Sequence, residues 1–231
     1  MGKPKYDENA VLGTYEKNSI LHTTDLSVMT DPLALHALQK LISEYEFETV
    51  LDIGSGSRKH ADYLEKRGKK VTTCDLGISD EFKKSRNGAT FRGNYLDFQF
   101  PEKYDAAWCC HVLEHQPNVN ALLKKVLGDL KEDGVLAVTV PPRKPNVVGG
   151  HLTIWNGGLL LYNLIIAGFD CSQARLKQHE YNISVLVRKK PIDIESLNLN
   201  YDIGDIERLS GFFPFPAEQG FDGDVMEVKW D

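Results

Sequence analysis

The spacing Asp52-x-Gly54-x-Gly56, with Asp75 further on, is the first arrangement in this chain that could do chemistry. Two glycines one residue apart let the backbone turn tightly and bring its N–H groups up to a ligand, with only Ser55 between them. A carboxylate at such a turn repels the pyrophosphate of a dinucleotide. It suits a ligand that carries positive charge. Asp75 closes a second apolar run and is placed to accept hydrogen bonds from both hydroxyls of a ribose. A second group is His111, Glu114 and His115, joined later by His151. Histidine is the side chain that takes up a proton most readily near neutral pH. The run His111-x-x-Glu114-His115 also matches the H-x-x-E-H pattern of inverted zinc peptidases. That chemistry needs a helix through the motif and a third ligand. Gln116-Pro117 interrupts at once and no acid in a helical context follows, so no metal is expected. Arg143 and Lys144 share a loop with His151 and would suit an anionic substrate, although a solvated basic loop is the plainer account.

These residues need elements to hold them. The apolar run Thr49 to Ile53 reads as a buried parallel strand ending at Asp52, followed by a helix from Lys59 to Lys66 with Ser57 as its cap and Gly68 as its stop. Val71 to Cys74 is a second strand, Ala89 to Arg92 a short third, and Tyr104 to Cys110 a fourth. The segment from Leu76 to Gly88 reads as helical in part. Pro117 to Leu130 shows helical spacing, and Gly134 to Val140 is an apolar fifth strand. A helix over Leu159 to Ile165 ends at Gly168. Phe169 to Leu176 and Ile183 to Arg188 then pair as an antiparallel hairpin. Ahead of all this, Asp31 and Pro32 start a helix carrying Leu35, Leu38, Leu41, Ile42 and Tyr45.

The stretches Leu51-Asp52-Ile53-Gly54-Ser55-Gly56, Asp75, Gly93-Asn94 and Tyr104-Asp105 through His115 occur in a telling order. Leu130 to Leu136 follows, then His151 ahead of Ala167-Gly168-Phe169. Together, over about residues 47–190, they resemble the class I S-adenosylmethionine-dependent methyltransferases of the small-molecule type. The resemblance implies an α/β fold, a Rossmann-like, seven-stranded, mostly parallel sheet with helices on both faces and antiparallel last strands. It implies S-adenosylmethionine as cofactor, with Asp52 toward the methionine amino group, Gly54 and Gly56 leaving room, and Asp75 on the ribose. Asn94 stands where the family usually has an aspartate reading the adenine amino group. Ser55, Leu76, Tyr95 and Cys110 complete the implied cofactor contacts. Arg58 departs from the family's third glycine, and a bulky residue there is expected to loosen cofactor packing or move the helix. His111, His115 and His151 are the candidate bases, and Arg143 and Lys144 the substrate contacts. The implied function is methylation, at oxygen or nitrogen, of a small molecule such as an anionic sugar or nucleotide-sugar derivative. The alternatives are a related protein that binds without catalysis and, less favoured, a zinc hydrolase using His111, Glu114 and His115. A nicotinamide dehydrogenase is opposed by Asp52 and by the missing third glycine.

Composition narrows the partners. The net charge of −6 over 231 residues is uneven: residues 191–231 carry ten acids against Arg208 and Lys229, a net −8, which leaves +2 for residues 1–190. A near-neutral body with an acidic tail gives no nucleic-acid footprint. No run approaches the roughly 20 apolar residues of a membrane span, so no membrane partner is expected. Cys74, Cys109, Cys110 and Cys171 sit in or beside apolar runs, which fits small packing residues in a reducing cytoplasm. The expected organisation is an N-terminal arm and helix over 1–46, the main domain over 47–190, and an acidic, aromatic cap over 191–231. That cap packs on its own domain or on a second subunit of a homodimer.

Overall fold

The computed structural model describes residues 32–231 apart from Lys84 and residues 86–88. The expectations for residues 1–31, including the Asp31 cap, lie outside the described residues. The elements in chain order are α1 (Leu35–Glu44), β1 (Thr49–Ile53), α2 (Lys59–Glu65), β2 (Lys70–Asp75), α3 (Asp80–Lys83), β3 (Phe91–Arg92) and β4 (Tyr104–Cys110). They continue with α4 (Val119–Asp129), β5 (Leu130–Val140), α5 (Gly157–Ile166), β6 (Arg175–His179), β7 (Asn182–Arg188), α6 (Asp205–Leu209) and β8 (Glu227–Val228). One sheet runs in the order β3-β2-β1-β4-β5-β7-β6-β8. The first five strands are parallel, and β7, β6 and β8 are antiparallel to their neighbours. The seven strands expected from the sequence are present, and an eighth, two residues long, is added at the edge.

Apolar residues alternate along the central strands because successive side chains point to opposite faces. Leu51, Ile53, Ala107, Cys109, Leu136 and Val138 face the layer of α4 and α5. Val50, Ala106, Trp108, Val135 and Ala137 face α1 and Leu64 of α2. All four cysteines are free and buried. His60 is buried as well, its ring 5.2 Å from that of Trp108 and its Nε2 2.9 Å from the Leu33 carbonyl. Burial pushes its imidazole down to about 4.

Two helix starts differ from the sequence reading for one physical reason. The residues before α1 and α2, Ala34 and Arg58, take left-handed backbone at φ 52° and 67°, and neither contributes a side-chain cap. Pro32 therefore precedes α1, and Ser57 is not the cap of α2. The run from Phe169 also enters the sheet later than expected. Phe169 makes one bridge to Pro191, and the ladder with β7 begins at Arg175.

The segment after Arg188 closes over α5. Leu209, Phe213 and Ala217 are buried in the α4–α5 layer, and Phe213, Phe215 and Phe221 form a ring cluster with centroids 5.4–5.8 Å apart. Two glycines at the start of α5 admit this strap at backbone distance. A Cβ on Gly157 would stand 2.5 Å from the Val225 carbonyl, and one on Gly158 would stand 2.8 Å from Gly223 Cα. The Gly158 N–H donates to the Gly223 carbonyl at 2.8 Å. Beyond this crossing the chain adds β8 to β6, and Trp230 packs with the α1 layer. Gly157→Ala should lower stability by about 1–3 kcal/mol, since the carbonyl it meets is backbone and cannot step aside. For a chain of this size that is a fall in melting temperature of roughly 2–4 °C per kcal/mol. An unchanged calorimetric transition would show that the strap is not held there.

Candidate functional site

The sheet reverses its winding between β1 and β4, so a crevice opens beyond the carboxyl ends of those two strands. The first wall is the turn after β1. Gly54 and Ser55 donate their N–H groups to the Cys74 carbonyl at 2.8 and 3.2 Å. Asp75 then fixes the turn from the neighbouring strand, its Oδ2 accepting from the Gly56 N–H at 2.9 Å and its Oδ1 from the Gly77 N–H at 2.7 Å. Leu76 stands exposed beside it, whereas Ser55 is buried.

Asp52 is the penultimate residue of β1, just before this turn. It is 1% exposed, and its Oδ2 has no hydrogen-bond partner. Burial pushes its carboxyl up to about 7, against the pull of Arg58. Arg58 does not enter the crevice. Its buried guanidinium reaches Thr73 Oγ1 at 3.1 Å and Glu65 at 2.8 Å, filling the space between α2 and β2. Arg58 is buried within the fold, on left-handed backbone at φ 67°.

Of the other residues read as cofactor contacts, Asn94 is exposed and its carbonyl caps its own turn through the Leu96 N–H at 3.2 Å. Tyr95 turns into the core, where its hydroxyl donates to Asp129 at 2.6 Å. Cys110 is buried at the end of β4, and burial drives its thiol well up.

The second wall is the loop after β4. His111 has left-handed backbone at φ 55°, a conformation non-glycine residues adopt mostly where surroundings enforce it. Its N–H donates to the Thr139 carbonyl, its Nε2 lies 3.0 Å from Asn182 Oδ1, and its Nδ1 lies 3.1 Å from Glu114 Oε1. Burial alone would push this imidazole down, but the Glu114 carboxylate and Asn182 outweigh it and hold it up. Glu114 and His115 follow in a single 3-10 turn, Leu113–His115. No α-helix forms, so the H-x-x-E-H helix of a zinc peptidase is absent and His111 and His115 do not share its face. His115 Nδ1 lies 2.8 Å from the Gly150 carbonyl, and its ring stands edge-on to that of His151 at 5.1 Å. The His151 imidazole is pushed down, chiefly by burial, while the Glu114 carboxylate opposes.

The third wall is the β5–α5 loop. It frames a cleft of about 220 Å³ lined by Pro142, Lys144, His151, Thr153, Trp155 and Tyr181. Lys144 lies over the Tyr181 ring at 4.2 Å, and that ring stacks near His111 at 6.0 Å. Arg143 also lines this cleft, where its guanidinium pairs with Asp224 of the strap at 2.5 Å. Tyr181 and Asn182 were missed from the sequence. They sit at the turn between β6 and β7, and no spacing in the chain links them to His111. A larger groove of about 570 Å³ lies near Asp133 and Arg188, at the opposite end of β5, away from these groups.

A family model described as a methyltransferase domain matches residues 30–165. Among curated relatives, the ubiquinone biosynthesis O-methyltransferase of Rickettsia felis is 25% identical over 202 residues, covering 81% of this chain and 75% of its own. The same-named protein of Actinobacillus pleuropneumoniae serotype 5b is 25% identical over 210 residues, covering 84% and 81%. Among solved structures, a Pyrococcus horikoshii protein superposes with a TM-score of 0.55 at 18% identity, over 68% of this chain and 89% of that one. A Burkholderia thailandensis 1,6-didemethyltoxoflavin-N1-methyltransferase, solved with 1,6-didemethyltoxoflavin and S-adenosylhomocysteine, gives 0.55 at 20% identity over 67% and 77%. At these identities the two structures speak for the fold.

The raised carboxyl of Asp52 sets a pH dependence. An acid whose folded value of about 7 lies above its ordinary 3.8 favours the fold while protonated, and that contribution is lost as pH rises from about 4 through 7. Without ligand, Asp52→Asn should therefore unfold at higher temperature than the parent at pH 8, by the equivalent of a few kcal/mol at most. The two should converge near pH 4. Parallel melting curves across that range would show that Asp52 is already ionised without strain.

Proposed function

The chain belongs to the methyltransferase-domain family, and on that premise we propose that it transfers a methyl group from S-adenosylmethionine to a hydroxyl of a small-molecule acceptor. The observation that carries the cofactor reading is the buried, unpartnered Asp52 oxygen beneath a glycine turn. A cofactor with an ammonium group supplies the counter-charge that this carboxylate lacks, while a pyrophosphate would oppose it. Asp75 keeps acceptor capacity beyond its two backbone hydrogen bonds, because each carboxylate oxygen has a second lone pair for a ribose hydroxyl. Gly54 cannot be replaced here. It has φ 73°, and a Cβ would lie 2.3 Å from Val112 Cγ2.

The transfer is an in-line displacement. The acceptor oxygen attacks the methyl carbon, the O–CH₃ bond forms as the S–CH₃ bond breaks, and the sulfur leaves as a neutral thioether. The chain's task is alignment and removal of the hydroxyl proton. His151, which lines the cleft, and His115 beside it are the residues proposed to assist removal of that proton. Oxygen as the acceptor atom is supported by the names of the two curated relatives.

The acceptor carries at most one anionic group. Arg143 is neutralised by Asp224, which leaves Lys144 as the cation of the cleft lining, so a nucleotide diphosphate is disfavoured. Among the described residues no helix is long and apolar enough to cross a membrane.

S-adenosylhomocysteine keeps the ammonium and tests the reading directly. Its calorimetric affinity should rise up to about tenfold per pH unit below 7 and level off above, because Asp52 must give up its proton to the ligand's charge. Asp75→Ala should weaken binding at every pH. Binding of NAD(H) with no response to S-adenosylhomocysteine would sink the proposal.

A further inference from the structure

Glu114 is fully buried at 0% exposure, yet neither of its carboxylate oxygens receives a hydrogen bond of proper geometry. A buried carboxylate without such partners carries a large desolvation cost unless another positive group faces it. His111 Nδ1 at 3.1 Å partly answers Oε1 from one side. On the other side the loop from β5 to α5 brings in two imidazoles. One ligand atom each from Glu114, His115 and His151 lie within 4.8 Å of one another, with His115 Nε2 3.8 Å from Glu114 Oε1.

We propose that Glu114, His115 and His151 form a divalent-cation site at the wall of the acceptor cleft, with zinc or a similar borderline metal as its ligand. Two imidazoles and a carboxylate are the donor set such cations take, and three protein ligands leave one position open. Ligands about 2.1 Å from a tetrahedral metal stand about 3.4 Å from each other, so the cluster needs only a small inward adjustment. The surroundings already hold two of the three. The Gly150 carbonyl can only accept, so the proton of a neutral His115 sits on Nδ1 and the lone pair of Nε2 faces Glu114. The Leu152 and Thr153 N–H groups donate to the Glu114 carbonyl at 2.6 and 3.3 Å, and Thr153 Oγ1 donates to the Leu113 carbonyl at 3.1 Å. These bonds stitch the His151 loop to the turn bearing Glu114 and His115. His151 joins Glu114 and His115 through the fold and not through a helix, a different set from the His111 and His115 pair of the peptidase pattern.

This site deepens the methyl-transfer reading and, in its chemical role, rests on it. An acceptor hydroxyl entering the open position would be acidified by the cation and release its proton to solvent, so the two imidazoles act as ligands in place of bases. Binding of the metal itself can be measured apart from transfer. Zinc should titrate to one per chain against a chromogenic chelator, and cobalt substituted for it should show the visible absorption of a four-coordinate site. His151→Ala, on a partly exposed loop residue, should weaken zinc by more than the ~10-fold typical of losing an outer partner, and Glu114→Gln likewise. His36→Ala, an exposed histidine elsewhere, should change nothing. S-adenosylhomocysteine affinity, measured on the same samples, should stay at the parental value in His151→Ala. Zinc binding equally reduced in His36→Ala, unaffected by His151→Ala, or absent from the parent protein overturns the site. Loss of S-adenosylhomocysteine binding in the parent instead removes the methyl-transfer reading and leaves the metal result to stand or fall alone.

Discussion

Val112 stands where a side chain on Gly54 would have to go, with its Cγ2 2.3 Å from the position of a Cβ. That close approach joins the two walls of the crevice. The turn after β1 brings Asp52, Gly56 and, through its hydrogen bond, Asp75. The loop after β4 brings His111, Glu114 and His115 within three residues of Val112. Because the approach is backbone against side chain, neither wall can shift alone without opening a gap or a clash. The buried carboxylates on both sides, Asp52 and Glu114, are consequences of this tight seam. Each is almost wholly shielded from bulk solvent, and each has an oxygen without a hydrogen-bond partner in the protein.

Much of the scaffold was legible because strands covered on both faces read as short continuous apolar runs. The runs at β1 and β4 are buried on both faces; the bounds of β4 were as read, and β1 runs one residue past the expected end at Asp52. What stayed hidden was set by backbone conformation or by contacts between distant segments. Arg58 and Ala34 enter their helices through left-handed φ, which a non-glycine residue does not advertise. Strand β8 is two residues long, too short for any alternation to show. The approach of His151 to His115 depends on loop hydrogen bonds across about forty residues, and the seat of Tyr181 beside His111 on a hairpin turn. Arg143 looked free because its partner, Asp224, lies in a different segment altogether. Tyr95 shows the same limit: its neighbour Asn94 suggested the crevice, yet the core claims its hydroxyl through Asp129.

The uneven charge of the chain also acquires a place. Asp224 meets Arg143, and Glu227 meets Lys177 at 2.8 Å on the sheet edge. These pairs are partly exposed and contribute little to stability. Their effect is on what approaches. Asp224 places an acid beside the cleft, where it offsets Arg143, one of the two basic side chains that line it.

The strap over Gly157 and Gly158 has a consequence for the order of events in the cell. Residues 221–230 complete the α5 packing, the sheet edge and the Trp230 contact with the α1 layer, so elements made first wait for residues made last. Contacts of such long sequence separation form late, after loop closure has been met. During translation the nascent chain can assemble β1 through β5 while they emerge. The apolar flank of α5, however, stays uncovered until the ribosome has passed residue 230 and released that stretch from its exit tunnel. A pause in synthesis between α5 and the strap would leave an aggregation-prone surface in need of a chaperone.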